Sequence, residues 1–151
     1  MRCISSCPDA VALIRGGSDA PRLSGQVQFY QELGKVLVVA NLSGLPQNSK
    51  TSFFALHIHE GSSCSGVDFP ETGGHYNPKW ESHPNHAGDL PPLMLCHGGA
   101  HLTVRTDRFS VQDIIGRTLV IHSGPDDFHS QPAGNSGTKI GCGVIRSCGK
   151  L

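Results

Sequence analysis

Apolar and polar positions along this chain fall into short runs that are separated by turn-forming residues. The run at 100–105, Ala-His-Leu-Thr-Val-Arg, alternates as a strand with one buried face does. The other runs are rich in β-branched residues, and none shows the periodicity of an amphipathic helix. The pattern predicts extended segments at 10–15, 23–30, 36–42, 53–59, 100–105, 114–115, 118–122 and 140–145.

Seven or eight such strands predict an all-β fold, a Greek-key antiparallel β-sandwich or flattened barrel of about eight strands. The 19 glycines and 10 prolines favour turns and ordered loops over helices. Two long stretches, 61–95 and 123–139, contain no predicted element, and loops of that length in a compact domain are usually functional. Because the sequence shows neither an internal repeat nor a linker, residues 1–151 are predicted to form a single domain.

The charges of the chain are balanced, with twelve basic and twelve acidic side chains. This balance gives no reason to expect a nucleic acid or an anionic membrane as a partner. No apolar run approaches the roughly 20 residues that a membrane-spanning helix needs. The first ten residues lack the apolar core of a signal peptide, so the protein either stays where it is made or follows a leader that has been removed.

Six cysteines allow up to three disulfides, and the absence of a CxxC motif argues against a zinc ribbon or a thioredoxin-like centre. An even number of cysteines in a small glycine-rich domain favours at least one disulfide. The compartment would then be oxidising, extracellular or periplasm-like, if a leader was removed. The alternative is a cytoplasmic protein with buried free thiols. The cysteines are Cys3, Cys7, Cys64, Cys96, Cys142 and Cys148.

Histidine is frequent, and seven of the nine histidines lie between His57 and His101. Histidine is the commonest metal ligand among protein side chains. His57 and His59 are one residue apart in a predicted strand, so their imidazoles share a face and aim at one point. His122 ends another predicted strand; a lone histidine there is more often only hydrogen-bonded. Several imidazoles around one point would suit a tetragonal copper site.

The loop at 61–95 contains the spacing H-x7-H-x2-H-x2-D, formed by His75, His83, His86 and Asp89. Three imidazoles and one carboxylate make a closed four-ligand set of the kind that holds tetrahedral zinc. The alternative is a histidine-rich surface loop that binds no metal.

Six segments of the chain resemble the copper/zinc superoxide dismutase family, in the family's order and with nearly its spacing. The resemblance extends from about residue 23 to residue 145. The segments are His-Ile-His-Glu at 57–60, Gly-Gly-His-Tyr-Asn-Pro at 73–78, His-Ala-Gly-Asp-Leu at 86–90, 114–122, Gly-Asn-Ser-Gly at 134–137 and Cys-Gly-Val-Ile at 142–145.

The resemblance implies the site residues one by one. The copper ligands would be His57, His59, His75 and His122, and the zinc ligands would be His75, His83, His86 and Asp89. His75 would therefore bridge the two metals. Asp126 matches a carboxylate that links a copper-ligand histidine to a zinc-ligand histidine, and Cys64 and Cys142 match the family's disulfide.

The activity implied by the resemblance is dismutation of superoxide to dioxygen and hydrogen peroxide by a histidine-bound copper, with zinc as a structural ion. The substrate would be the superoxide anion, and a homodimer is one expected assembly. The alternative is a non-enzymatic copper- and zinc-binding domain that acts as a metal chaperone, a buffer or a structural module. Relatives of that kind typically lack one or more copper ligands, whereas all are present here.

The chain departs from the family pattern near the second disulfide cysteine, where Lys139 stands in place of an arginine at the mouth of the copper channel. A cation is kept and still attracts a small anion, but the planar fork of donors is lost. We therefore expect Lys139 to be catalytic in steering superoxide, with weaker docking; the alternative is a solvated surface charge.

Other residues lie outside the family pattern altogether. Cys148 is predicted to pair with Cys3 or Cys7. The histidines that match no ligand position, and are therefore expected to be surface or core residues, are His97, His101 and His129.

Overall fold

The structure of the protein is a computed structural model that describes residues 7–47 and 50–149. Within those residues the chain forms nine strands, one short α-helix and one turn of 3-10 helix at Pro70–Thr72. The helix is α1 (Val111–Ile114). The strands are β1 (Ala10–Gly16), β2 (Ser24–Glu32), β3 (Lys35–Ser43), β4 (Phe53–Phe54), β5 (Leu56–His59), β6 (Leu93–Met94), β7 (Gly99–Thr106), β8 (Thr118–His122) and β9 (Lys139–Ser147).

Seven strands form one antiparallel sheet in the order β5-β8-β9-β1-β2-β3-β7, and β4 pairs with β6 in a small second sheet. The first three strands form two successive hairpins, after which the chain crosses to the opposite edge of the sheet to form β5. It then returns to place β7 beside β3, and crosses back to place β8 between β5 and β9. The long connections required by these crossings contain most of the predicted metal ligands.

The large sheet curls around one core. Leu56 and Ile58 of the edge strand β5 belong to the same cluster of buried side chains as Val38 of β3 and Ala100 of the opposite edge strand β7. A flat seven-stranded sheet could not bring its two edges into one cluster, since neighbouring strands lie about 4.8 Å apart. The prediction of an all-β antiparallel barrel is therefore confirmed.

Six of the eight predicted segments coincide with strands to within a few residues, and the other two need correction, as does the loop predicted at 61–95. The run at 53–59 is two strands, because Ala55 donates its N–H to Gly124 O and accepts from the N–H of His122. This break sends β4 to β6 and β5 to β8. The stretch at 61–95, predicted to lack regular structure, contains the Pro70–Thr72 turn and β6.

The segment predicted to be extended around Ile114 and Ile115 is instead the end of α1. Ser110 caps this helix by accepting from the N–H of Asp113, and the Asp113 carboxylate accepts in return from the N–H of Ser110 at 2.9 Å. This reciprocal pair is a capping box. The part of the chain that the structure describes contains no helix long and apolar enough to cross a membrane.

Candidate metal centre

Three histidines come from the two paired strands at one edge of the sheet. His57 and His59 lie on β5, where Leu56 and Ile58 face the core, and all four residues are buried. His122 ends β8, after a shift of register that pairs it with Lys139 of β9. The His122 ring lies 4.9 Å from the His57 ring and 5.3 Å from the His59 ring, measured between centroids. The predicted same-face geometry is confirmed.

The loop that follows β5 folds back against that strand. Ile58 donates its N–H to Gly88 O and accepts from the N–H of Tyr76, and Gly88 donates to Tyr76 O. Gly88 has to be a glycine, because a Cβ at this position would collide with the Ile58 carbonyl. This three-way contact places His75 and Asp89 opposite the strand histidines.

Two groups of donors result, and they share one residue. In each group the ligand atoms all lie within 4.8 Å of one another, and every member is buried. We call the first group the strand cluster; it consists of His57, His59, His75 and His122. We call the second the loop cluster; it consists of His75, His83, His86 and Asp89.

The two nitrogens of the His75 ring face different clusters. Its Nδ1 lies 2.8 Å from Asp89 Oδ1 and 3.3 Å from His86 Nδ1, within the loop cluster. Its Nε2 is buried and has no hydrogen-bond partner among the described residues. A buried nitrogen without a partner is costly unless something outside the protein chain satisfies it. The His75 ring therefore presents one nitrogen to each cluster.

Asp126 belongs to neither cluster but links a histidine of one to a histidine of the other. Its two carboxylate oxygens lie 2.8 Å from His57 Nε2 and 2.8 Å from His83 Nε2. With each Nε2 occupied in this way, the Nδ1 atom of His57 is left buried without a hydrogen bond within the described residues, and the Nδ1 atom of His83 faces Asp89 Oδ2 at 3.1 Å in the loop cluster. A carboxylate that accepts from the far side of a ligand histidine fixes its ring and its tautomer.

A glycine makes room for this carboxylate bridge. Gly134 has a φ of 71°, which side chains other than glycine rarely adopt, and a Cβ there would collide with Asp126 and with the His83 ring. The sequence offers only a weak sign of this role, in the Gly-Asn-Ser-Gly turn at 134–137.

Two further nitrogens face each other across the strand cluster. His59 donates its Nδ1–H to Gly73 O at 2.8 Å, so its Nε2 carries a lone pair. That Nε2 lies 3.2 Å from His122 Nε2. A cation placed between these two nitrogens would take a lone pair from each ring. The donor set of the strand cluster therefore fits a metal ion.

The ionisation states also suit metal binding, which needs neutral imidazoles and charged carboxylates. Burial lowers the pKa of His59 to about 2 and that of His122 to about 3, so both rings are neutral near pH 7. Burial alone would raise the pKa of Asp126, but hydrogen bonds from His57 and His83 bring it well below its usual value. The pKa of Asp89 is lowered in the same way despite its burial, first by the hydrogen bond from His75.

The loop cluster is also held from outside by two residues that sequence reasoning did not identify. Arg108 donates from one guanidinium nitrogen to the backbone oxygens of Pro84, His86 and Asp89, at 2.9, 3.1 and 3.4 Å. Gln131 brackets His83 by accepting from its N–H and donating to its carbonyl. Neither residue belongs to a recognisable sequence motif, because both bond to backbone groups that are distant in the sequence.

Cys64 and Cys142 form a disulfide that ties the loop after β5 to β9, with Cα atoms 5.8 Å apart. The bridge packs against Phe69 and Val120 in a small apolar cluster of its own. Cys148 is an exposed free thiol, so its predicted disulfide with Cys7 does not form. The other predicted partner, Cys3, lies outside the described residues.

Lys139 is not a solvated surface charge. Its ammonium donates to Thr72 Oγ1 at 2.7 Å and to Phe69 O at 3.4 Å, and the residue is half-buried. Burial lowers its pKa from the ordinary value. Three histidines that were expected to lie outside the site are indeed exposed and belong to neither cluster: His97, His101 and His129.

The fold and the site together define a β-barrel protein with two adjacent clusters of metal-ligating side chains that share one imidazole. The sequence model of the family described as copper/zinc superoxide dismutase (SODC) matches residues 23–145. The chain belongs to the copper/zinc superoxide dismutase family.

Individual relatives agree with this assignment. Superoxide dismutase [Cu-Zn] 2 of Aquifex aeolicus is 37% identical over 137 residues, which cover 81% of this chain and 78% of the relative. Superoxide dismutase [Cu-Zn] of Schizosaccharomyces pombe is 36% identical over 155 residues, covering 90% of this chain and 96% of the relative. The extracellular superoxide dismutase [Cu-Zn] of Rattus norvegicus is 34% identical, covering 84% of this chain and 56% of the relative.

Proposed function

We propose that this protein catalyses the dismutation of superoxide, in which two superoxide anions and two protons give one dioxygen and one hydrogen peroxide. The observation that carries the proposal is the His75 ring, whose Nδ1 lies in the loop cluster and whose unpartnered Nε2 faces the strand cluster. A shared imidazole of this kind is what a paired copper and zinc site requires.

The chemistry of the donors assigns one metal to each cluster. Four imidazoles without a carboxylate suit copper, so the strand cluster would hold copper through His57, His59, His75 and His122. Three imidazoles and one carboxylate suit tetrahedral zinc, so the loop cluster would hold zinc through His75, His83, His86 and Asp89. When bound, copper supplies the one-electron oxidation and reduction of superoxide, and zinc holds the loop side of the shared ring.

The residues of this chain have separate tasks in the proposed reaction. His75 Nε2 is the atom that takes up a proton and delivers it to the reduced oxygen species, since the other nitrogen of the ring is committed to the loop cluster. The Lys139 ammonium attracts the anion towards the strand cluster. Asp126 and the Cys64–Cys142 disulfide touch no substrate and keep the histidine rings in position.

The experiment that tests the proposal is direct measurement of superoxide decay with protein loaded with one copper and one zinc. The matched control is His57→Ala, which removes a ligand from the strand cluster alone. We expect fast decay that slows as salt screens Lys139 and that is lost in the control. Fully loaded protein with no decay above the control would overturn the proposal and favour a non-enzymatic metal-binding domain.

We also propose an assembly and a compartment. A homodimer is expected from the family and is tested by light scattering on the purified protein. An oxidising compartment is supported by the Cys64–Cys142 disulfide. Mass spectrometry after thiol blocking in intact cells would test it, because a reduced pair in the native compartment would contradict it.

The extent of the domain is part of the same proposal. We infer that residues 1–151 form one domain, since one cluster of buried side chains includes residues from Ala10 to Ile145. Cooperative unfolding with coincident transitions for both metal sites and for the sheet would support it.

A further inference from the structure

The position of Lys139 in the sheet places its side chain beside the strand cluster. Lys139 is the first residue of β9, and its backbone pairs directly with His122 of β8. Side chains on directly opposed residues of neighbouring strands lie within contact distance of each other. An ammonium at this site attracts an anion from a distance in any rotamer, but it binds one at the strand cluster more tightly when its four-carbon stem is already held in place.

A lysine needs such support more than an arginine does. Its ammonium is a point charge on a flexible stem, whereas the planar fork of an arginine is pre-organised and loses less rotamer freedom for each hydrogen bond that it forms. The ammonium offers three N–H donors without a preferred plane, so the geometry has to come from its acceptors. For Lys139 those acceptors are Thr72 Oγ1, at 2.7 Å, and Phe69 O, at 3.4 Å.

Thr72 is suited to this task because its hydroxyl is itself held. The residue is fully buried, and its hydroxyl donates to Phe69 O at 2.9 Å. With the hydroxyl hydrogen committed to Phe69, the oxygen presents its lone pairs to the Lys139 ammonium. The Thr72 hydroxyl is thus an oriented acceptor with no solvent to compete for it.

The turn that carries Thr72 also holds a ligand of the strand cluster. Gly73, the next residue, accepts through its carbonyl from His59 Nδ1 at 2.8 Å, and Gly61 donates its N–H to Thr72 O at 2.8 Å. Phe69, at the start of the turn, packs in the cluster that includes the disulfide. Two consecutive residues therefore position the cation and one of the histidines with respect to each other.

We propose that Thr72 is a positioning residue that fixes the Lys139 ammonium beside the strand cluster and thereby strengthens the binding of small anions there. This inference rests on the proposed function, because it gives a role in that reaction to a residue outside both clusters. Thr72 touches no substrate and acts through Lys139.

A double-mutant cycle on protein loaded with copper and zinc tests this directly. Azide, a small monovalent anion, is titrated at low salt, and its affinity is followed by the change in visible absorption of the copper. Thr72→Val keeps the side-chain shape without the hydroxyl, and Lys139→Gln removes the charge. Since one hydrogen bond has a net value that corresponds to about 3- to 10-fold in affinity, we expect a loss of that size for Thr72→Val.

In the Lys139→Gln background the same Thr72→Val change should alter azide affinity by less than about twofold, because contacting residues are non-additive. Thr72→Ser, which keeps the hydroxyl, should restore wild-type affinity. Equal losses in both backgrounds, or no rescue by serine, would overturn the inference. Thr72→Ala carries the same expectation and replaces Thr72→Val if the valine variant does not fold.

A second readout needs no metal. The rate at which Lys139 is acetylated in the metal-free protein, measured by mass spectrometry, should rise several-fold in Thr72→Val as the ammonium is released. The exposed lysines Lys35 and Lys79 serve as internal controls whose rates should not change. An unchanged rate at Lys139 would contradict the proposed positioning.

The results separate this inference from the function on which it rests. Wild-type protein that holds both metals but does not accelerate superoxide decay would overturn the function, while the azide cycle and the acetylation rates would still judge Thr72. Active wild-type protein with additive losses would overturn the role of Thr72 and leave the function intact.

Discussion

The strand cluster and the loop cluster share His75 but are held in place by different means. His57, His59 and His122 lie on β5 and β8, whose paired backbones fix their positions. The other members of the loop cluster come from an irregular segment, where Asp126, Arg108 and Gln131 hold them through hydrogen bonds. The positions of the strand cluster are therefore fixed by the barrel itself. We expect those of the loop cluster to depend on polar contacts and on a bound metal.

The two clusters should differ most in the loss of stability that follows when each one loses its own metal. His86→Ala removes a ligand from the loop cluster only, and His59→Ala from the strand cluster only. A metal present at a thousandfold above its Kd stabilises the native state by about 4 kcal/mol. We expect thermal unfolding to show that His86→Ala has lost most of this stabilisation. We also expect the backbone amides of residues 75–90 to lose their protection from hydrogen exchange in this variant. His59→Ala should keep that protection.

If burial alone set the loss of stability, His59→Ala would destabilise the protein more than His86→Ala. His59 is the more buried of the two residues, 2% exposed against 6% for His86. Greater destabilisation by His59→Ala, with a loop that still resists exchange in His86→Ala, would therefore refute the distinction between the clusters.

Asp126→Asn should weaken both clusters at once. An amide can accept from one imidazole N–H, but it presents its own N–H to the other, so one of the contacts to His57 and His83 is lost. Outer carboxylates of this kind change metal affinity by about 10- to 100-fold, measured by chelator competition for each metal. Asp127→Asn is the control, since among the described residues the Asp127 carboxylate contacts only Ser130 and His129 of its own turn.

A smaller change is expected from Arg108→Met, and it should affect one cluster only. Loss of the bonds to the backbone around His86 should lower zinc affinity by about 5- to 10-fold, which corresponds to one good hydrogen bond. Copper affinity should stay constant. Arg105→Met serves as the control because Arg105 pairs with Glu32 on the surface. A matching fall in copper affinity would mean that the loop and the strands form one rigid unit.

The smallest effect is expected at a position remote from both clusters. Asp113→Ala removes half of the capping box of α1 and should cost less than about 1 kcal/mol, as the carboxylate is exposed. Hydrogen bonds from the N–H and the hydroxyl of Ser110 lower the pKa of Asp113. Its contribution is therefore full above the unfolded-state pKa of about 3.9 and is lost as the pH falls through the lower folded-state value.

Urea unfolding of Asp113→Ala and wild type between pH 2 and pH 7 measures this difference, which should shrink at the acid end. A change in either metal affinity in this variant would show that both clusters respond to general destabilisation, and it would weaken the three preceding tests.

The two clusters also differ in how well their positions could be predicted from the sequence. Strand alternation predicted most of the barrel and the shared face of His57 and His59, because that geometry is local. The loop ligands were recognisable only from their spacing and from the resemblance to a family. The bridging by Asp126 was implied by the resemblance alone, and the structure places its oxygens 2.8 Å from both histidines.

What the sequence did not predict consists of contacts between distant segments. Arg108 and Gln131 bond to backbone groups 24 and 48 residues away, and nothing in their local sequence marks them. The hydroxyl of Thr72 meets Lys139 at a separation of 67 residues. The helix at Val111–Ile114 was also missed, because four residues are too few to show a periodic apolar face.

The place of β9 in the sheet has a consequence for synthesis on the ribosome. Among the described strands, β9 is the last to be made, yet it lies between β8 and β1 and is what joins the β5–β8 pair to the first three strands. The histidine-bearing edge has no neighbour on that side until residues 139–147 emerge. A nascent chain stalled before that point would have every residue of both clusters already translated but no closed barrel to hold them, so metal loading is expected to follow the emergence of β9.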